Sequence, residues 1–390
     1  MHVSARVTGA ALLAGVVSFL ASTPKVDACT AFQLRSGDGA WIYFRSMEFG
    51  FQFDSKVLVV PRGTAMTGTA PGGAGMKWTT TYGVVGCNVN IAPTIVADGM
   101  NERGLAIGML YLPGYAQFSP PDAAKLDRTL GSWEVGLYLL STCATVEEVV
   151  TALRSGRVYV AEQEFPPFKM PLPVHLAISD GTGRMVIAEW VGGTLALHEN
   201  PLGVLTNSPP FDWQQINVSN YVNLSAVNVP QFTLGEKTIE NFGQGTGALG
   251  IPGDFSPPSR FVRAALFSHW ATPPKGANET VNLGFHVLNG FDIFDGAVVT
   301  DTARQTANTK GFLSSKGPAK LIPTDTTEWA IAHDRINLRS YVRTYGSLQV
   351  EMIDLRAVDF AKPGLRTIAL RETFDPVDIT AQQVPFTPKP

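Results

Sequence analysis

The chain is 390 residues long, with 38 glycines, 27 prolines, 45% hydrophobic and 16% charged residues. That composition suits a large domain rich in strands and turns rather than a helical bundle. A formal net charge of −3 with no block of lysine or arginine excludes the electrostatic footprint of a nucleic-acid binder. Beyond the N-terminal segment no apolar run approaches the roughly 20 residues of a membrane helix, so no membrane association is expected of the mature protein.

His2 and Arg6 make a weakly basic start, an apolar stretch runs from about Thr8 to Ala21, and Pro24 breaks it. Val26 and Ala28 then stand at −3 and −1 of a cut site, which reads as an export signal over residues 1–28 and a periplasmic or secreted product. Cutting there makes Cys29 the first residue. It would carry a thiol and an α-amine of pKa about 7.7–8.0, so that nucleophile and base arrive together. The alternative is a lipoprotein signal, in which an acylated Cys29 would merely anchor a non-catalytic binding protein. Asp27 and the lack of leucine at −3 count against it.

In chain order, Cys29 to Leu34 and Ala40 to Arg45 are β-prone runs around the polar turn Arg35-Ser36-Gly37-Asp38-Gly39. Thr69 to Gly75 reads as a loop. Helical patterns follow over Trp133 to Ser141 and Val146 to Leu153, the second capped by Thr145 with Glu147 and Glu148 in its first turn. After a loop from Phe165 to Pro173, Val174 to Ser179 and Arg184 to Trp190 form a hairpin around Asp180-Gly181-Thr182-Gly183. Pro257 and Pro258 open a helix over Ser259 to His269, flanked by loops at Gly243 to Pro258 and Thr272 to Gly276. Glu328 to Asp334 is expected to pair with Leu348 to Leu355. No repeat or linker divides residues 29–374, which read as one domain, and residues 375–390 read as a proline-rich surface tail.

Several motifs fail on context. Gly245-Thr246-Gly247-Ala248-Leu249-Gly250 spells G-x-G-x-x-G, but no β-run precedes it and Ile251-Pro252-Gly253 follows where a helix should open. The six histidines are scattered without metal-ligand spacing, so neither metal nor cofactor is expected. No serine has glycine at both −2 and +2, which removes the nucleophile elbow. Cys87 and Cys143 sit in apolar or small-residue surroundings, where a buried free thiol is commoner than a bridge. Cys29 is the best nucleophile left. Arg45 could lie beside its thiol, Glu48 could hold its amine, and Asn207 could offer a side-chain donor to an oxyanion. A solvated strand-end arginine and a turn-forming asparagine are the commoner readings of two of these.

The ordered blocks Cys29-Thr30-Ala31-Phe32, Arg45-Ser46-Met47-Glu48-Phe49, Asn101-Glu102-Arg103-Gly104-Leu105, Leu205-Thr206-Asn207-Ser208-Pro209, Ile251-Pro252-Gly253-Asp254 and Ser259-Arg260-Phe261 resemble the choloylglycine hydrolase family. That family holds bile salt hydrolases and penicillin V acylases. The resemblance reaches from Cys29 to about Leu355. It implies the N-terminal-nucleophile hydrolase fold, an α+β four-layer αββα sandwich with two antiparallel sheets between helical layers. It further implies Cys29 as nucleophile, Arg45 beside the thiol, Asn207 and the Tyr111 N–H around the oxyanion, and Arg260 completing the polar network. Glu48 stands where the family usually has aspartate. Bile salt hydrolases typically carry asparagine where Tyr111 stands and penicillin V acylases tyrosine. The resemblance therefore points to an acylase for aryl or aliphatic acyl amides, with bile salt conjugates and N-acyl homoserine lactones as alternative substrates. Tyr111, Phe49, Phe51 and Phe53 could line an acyl pocket, although a buried strand face would explain the phenylalanines equally. A homotetramer is what the family implies for assembly.

Overall fold

The structure is a computed structural model that describes residues 28–50, 52–89, 92–166, 169–299 and 324–383. The expected signal, apart from Ala28, lies outside them, as do Phe51 and positions 384–390 of the tail.

Two antiparallel sheets face each other. The first has Cys29–Arg35 and Trp41–Phe49 at its centre, with Val204–Leu205 beyond the former and Thr324–Asp334, Arg339–Thr344 and Glu351–Asp354 beyond the latter. The second runs Thr194–Glu199, Met185–Val191, Val174–Ser179, Ala106–Tyr111, Ala92–Asn101, Val84–Val89, Val57–Val60 and Arg366–Ile368. Helices Pro257–Trp270 and Ala277–Leu288 pack on the first sheet, and Val135–Thr142 on the second. This is the expected αββα sandwich.

The alternation of a strand explains the layers. Phe32 and Phe44 stack with centroids 5.1 Å apart, and Phe44 meets Phe285 of a covering helix edge-on. Their neighbours Tyr43 and Arg45 therefore point the other way, between the sheets. Both central strands are buried along nearly their whole length, so polar and charged residues such as Arg45 and Glu48 are buried on them together with the apolar ones. Two glycines permit the close packing. A methyl group on Gly284 would lie 2.0 Å from the Phe44 ring, and one on Gly108 would lie 2.1 Å from the Tyr43 hydroxyl.

The first hairpin forms with Cys29 opposite Met47, its second strand running four residues beyond the expected end, to Phe49. Val146–Arg154 is capped as expected, the Thr145 hydroxyl accepting from the Glu148 N–H at 3.2 Å. Two expectations are corrected. Thr69 to Gly75 is not a loop: it spans the turn of a hairpin formed by Ala65–Ala70 and Gly73–Thr79. The strand Thr324–Asp334 pairs not with Leu348–Leu355 but with Arg339–Thr344, and Glu351–Asp354 adds beyond that strand. Its turn at Arg335 to Leu338 contains no Gly or Pro, the usual signal, and Leu338 itself takes φ 56°.

Among the described residues no helix is long and apolar enough to cross a membrane. Cys29, Cys87 and Cys143 are all buried free thiols, so the considered Cys87–Cys143 bridge is not formed. Residues 375–383 of the tail are exposed, and the glycines of Gly245 to Gly250 fall in an irregular stretch with a single turn of 3₁₀ helix, not a strand-to-helix junction.

Candidate active site

Cys29 begins the central strand of the first sheet and is only 2% exposed. Its register partner Met47 and the nearby Arg45 share its face: the Arg45 Nη2 lies 3.4 Å from the Cys29 Sγ and 3.2 Å from the Met47 Sδ. Arg45 is fully buried, not a solvated strand-end charge. It remains there because carbonyls and a carboxylate replace its water. Its Nη1 donates to Ala97 O at 2.6 Å and lies 3.4 Å from Asp98 Oδ2, and its Nη2 donates to Met109 O at 2.7 Å. Burial opposes the charge, but Cys29 and Asp98 outweigh it and hold the guanidinium above its ordinary range.

Asn207 follows the short strand Val204–Leu205, which pairs with the Cys29 strand. Its Oδ1 accepts from the Cys29 N–H at 2.8 Å and from Arg260 Nη2 at 2.7 Å, while its Nδ2 donates to the Tyr111 carbonyl at 2.8 Å. An amide nitrogen has two hydrogens, so one Asn207 N–H remains after the bond to Tyr111. Tyr111 thus meets Asn207 through its carbonyl. Arg260 projects from the first turn of Pro257–Trp270 and also donates to Thr30 Oγ1 at 2.8 Å and to the Cys29 carbonyl. Burial pulls it below its ordinary range, opposed by Glu48, Cys29 and Asp325.

Glu48 pairs with Ala28 through its backbone N–H at 2.9 Å. Strand alternation turns its side chain to the helix-facing side, where Thr327 Oγ1 donates to Oε1 at 3.3 Å. Joined to Ala28, the Cys29 nitrogen has a single hydrogen, and Asn207, not Glu48, receives it. Burial pushes Glu48 up to about 8, with Arg260 and Ser46 opposing. Asp325, on the strand that supplies Thr327, is pushed up to about 7 by burial, again opposed by Arg260. Two carboxyl groups thus lie in the field of one guanidinium behind the strand that carries Cys29.

The Cys29 sulfur opens onto an apolar cavity lined by Met47, Phe49, Phe53, Ile95, Tyr111 and Phe165, among others. Phe49 lies between Phe53, at a centroid distance of 4.4 Å, and Tyr111, which it meets edge-on at 6.4 Å. Arg45 is the one charged side chain among the described lining residues. Such a wall accepts an aromatic or aliphatic group. Cys29, Arg45, Asn207, Tyr111 and Phe49 therefore converge on one place, with Arg260 and Glu48 on the far side of the central strand. Sequence reasoning missed Asp98, Met109 and Asp325. Asp98 and Met109 lie on strands of the opposite sheet, and a lone Asp or Met in a β-run carries no local signal.

The family model described as linear amide C–N hydrolases, choloylglycine hydrolase family, matches residues 29–317. A bile salt hydrolase/transferase from Clostridium perfringens is 33% identical over 279 residues, covering 70% of this chain and 81% of that protein. A penicillin V acylase from Pectobacterium atrosepticum is 25% identical over 328 residues, covering 82% and 78%. The crystal structure of a mutant conjugated bile acid hydrolase from Clostridium perfringens superposes with a TM-score of 0.76 at 27% identity, over 90% of this chain and all of that one. The chain belongs to the choloylglycine hydrolase family and is a hydrolase of linear amides.

Proposed function

We propose that the protein is an N-terminal cysteine amidohydrolase of the penicillin V acylase type, acting on small amides with an aryl or alkyl acyl group. In this reading residues 1–28 are removed on export, leaving Cys29 first. The observation that carries it is the fully buried Arg45 guanidinium 3.4 Å from the Cys29 sulfur, at the wall of an apolar, aromatic cavity.

The chemistry follows from the groups present. The α-amine of Cys29 takes the thiol proton, and the sulfur attacks the amide carbon. The free N–H of Asn207, with the backbone N–H of Tyr111, carries the charge that develops on oxygen. The C–N bond breaks as the α-ammonium returns its proton to the leaving amine, which departs and leaves a thioester. Water gives a proton to the amine as it attacks the thioester, and the acid leaves with the thiol restored. Glu48 and Asp325 would serve as acceptors behind the new ammonium.

Bile salt conjugates are the second reading, favoured by the higher identity to the bile salt hydrolase/transferase than to the penicillin V acylase. Tyr111 and the phenylalanines beside it favour the acylase. The test is kcat/KM of the chain starting at Cys29 for penicillin V, glycocholate and a long-chain acyl homoserine lactone, with Cys29→Ser as the blank. Turnover led by penicillin V or the lactone and lost in the blank is expected. Leadership by glycocholate would transfer the assignment to the second reading, and activity surviving in the blank would remove Cys29 as nucleophile.

A further inference from the structure

Behind Asn207 lies a buried ionisable pair that the mechanism above does not use. His175, on Val174–Ser179, is fully buried, and Glu189, on Met185–Val191, is 1% exposed. The His175 Nδ1 lies 2.8 Å from Glu189 Oε1, and its Nε2 lies 2.9 Å from the carbonyl oxygen of Thr206. A carbonyl oxygen only accepts, so Nε2 carries hydrogen. The opposite contact joins a ring nitrogen to a carboxyl oxygen, and a hydrogen bond there requires a proton between them. The Glu189 carboxyl also accepts the Phe211 N–H, at 3.1 and 3.2 Å from its two oxygens.

The pair therefore grips the chain on both sides of Asn207: His175 at the carbonyl of the residue before it, Glu189 at the N–H of Phe211, where a helix begins. Val174, next to His175, stands opposite Tyr111 in the sheet and lines the same cavity as Cys29. Gln214 adds weaker contacts to the carbonyls of Asn207 and Pro209 at 3.4 and 3.3 Å. On the outer side the half-buried His198 approaches Glu189 Oε2 to 3.7 Å.

We propose that His175 and Glu189 form a positioning pair that sets the Asn207 side chain against the Cys29 nitrogen and the developing oxyanion. The inference rests on the oxyanion role proposed above for Asn207. A donor displaced by about an ångström loses most of its effect on the transition state while substrate binding is hardly touched, because the acyl cavity is built from other residues.

The experiment is a double-mutant cycle on the mature enzyme with its best amide substrate. His175→Phe keeps a flat ring of similar size and removes both bonds. It is expected to lower kcat about ten-fold or more with KM within about two-fold, and to cause little further loss in an Asn207→Ala background. Glu189→Gln, which can accept from Phe211 and donate to a neutral His175, is expected to retain most of kcat. If His175→Phe does not fold, Glu189→Met, which removes the acceptor of the Phe211 N–H, replaces it with the same expectation. Full additivity with Asn207→Ala, or a folded variant with unchanged kcat, overturns the positioning role. Asn207→Ala alone keeping wild-type kcat would instead defeat the oxyanion reading, so the two failures are distinguishable.

Discussion

At the scale of single residues, one side chain joins the parts of the candidate site. Asn207 touches the nitrogen of Cys29, the carbonyl of Tyr111 and the guanidinium of Arg260, and in the proposed mechanism its remaining N–H faces the substrate oxygen. In that mechanism its loss removes one preorganised donor, an effect on the order of 100-fold or more in kcat. Asn207→Ala is therefore expected to show that drop in steady-state kinetics with circular dichroism unchanged, and near wild-type turnover would exclude the role. Arg45 shows what residue-level reading misses. By itself an arginine at a strand end is best taken as solvated, and only the carbonyls of Ala97 and Met109 with the Asp98 carboxylate make its burial tolerable. Those partners come from the opposite sheet, more than 50 positions away along the chain.

Among elements, legibility tracked the presence of a local signal. Val146–Arg154 has a capping threonine, acidic residues in its first turn and buried positions at Val146, Val149, Val150 and Leu153, all readable within ten residues. The hairpin Val174–Ser179 with Met185–Val191 has its Asp-Gly turn. Arg339–Thr344, Arg-Ser-Tyr-Val-Arg-Thr, has no such mark, and its assignment as a strand depends on Thr324–Asp334 lying beside it. Helix Ala277–Leu288 carries the same lesson through Gly284, a poor helix former retained at the point where Phe44 of the sheet beneath comes closest. Gly284→Ala should raise intrinsic helix propensity yet lower the protein's stability, by about 1–3 kcal/mol, through overpacking against that ring. A lower midpoint in thermal or urea unfolding is the expected result. A rise would mean that the helix can move away from the sheet at little cost.

For the whole molecule, the sandwich brings buried charge to both faces of its central strand. Between the sheets, Arg45 meets Asp98, which also accepts from the Tyr43 hydroxyl and lies 2.8 Å from His333 Nε2. On the helix side, Glu48 and Asp325 share the field of Arg260. Burial raises Glu48 from 4.5 to about 8, so between those values the folded chain holds a proton that the unfolded chain releases. The stability associated with protonated Glu48 is complete below about pH 4.5 and is lost as the pH rises through about 8. In a chain that retains Ala28, wild type should lose stability relative to Glu48→Gln over that interval, measured by denaturant unfolding at a series of pH values. Parallel curves would show that Glu48 is not raised in the fold.

The amino-acid sequence by itself determined the candidate nucleophile, the ordered blocks of the family, and the elements whose ends carry caps or turn residues, because each of these is written within a few neighbouring positions. It could not determine which charges are buried, which strand lies beside which, or that His175 and Glu189 stand behind Asn207. Those follow from contacts between residues distant in the chain, 14 positions apart for His175 and Glu189 and 279 for Glu48 and Thr327. Their free energy depends on desolvation and on partners that exist only once the two sheets have closed on each other.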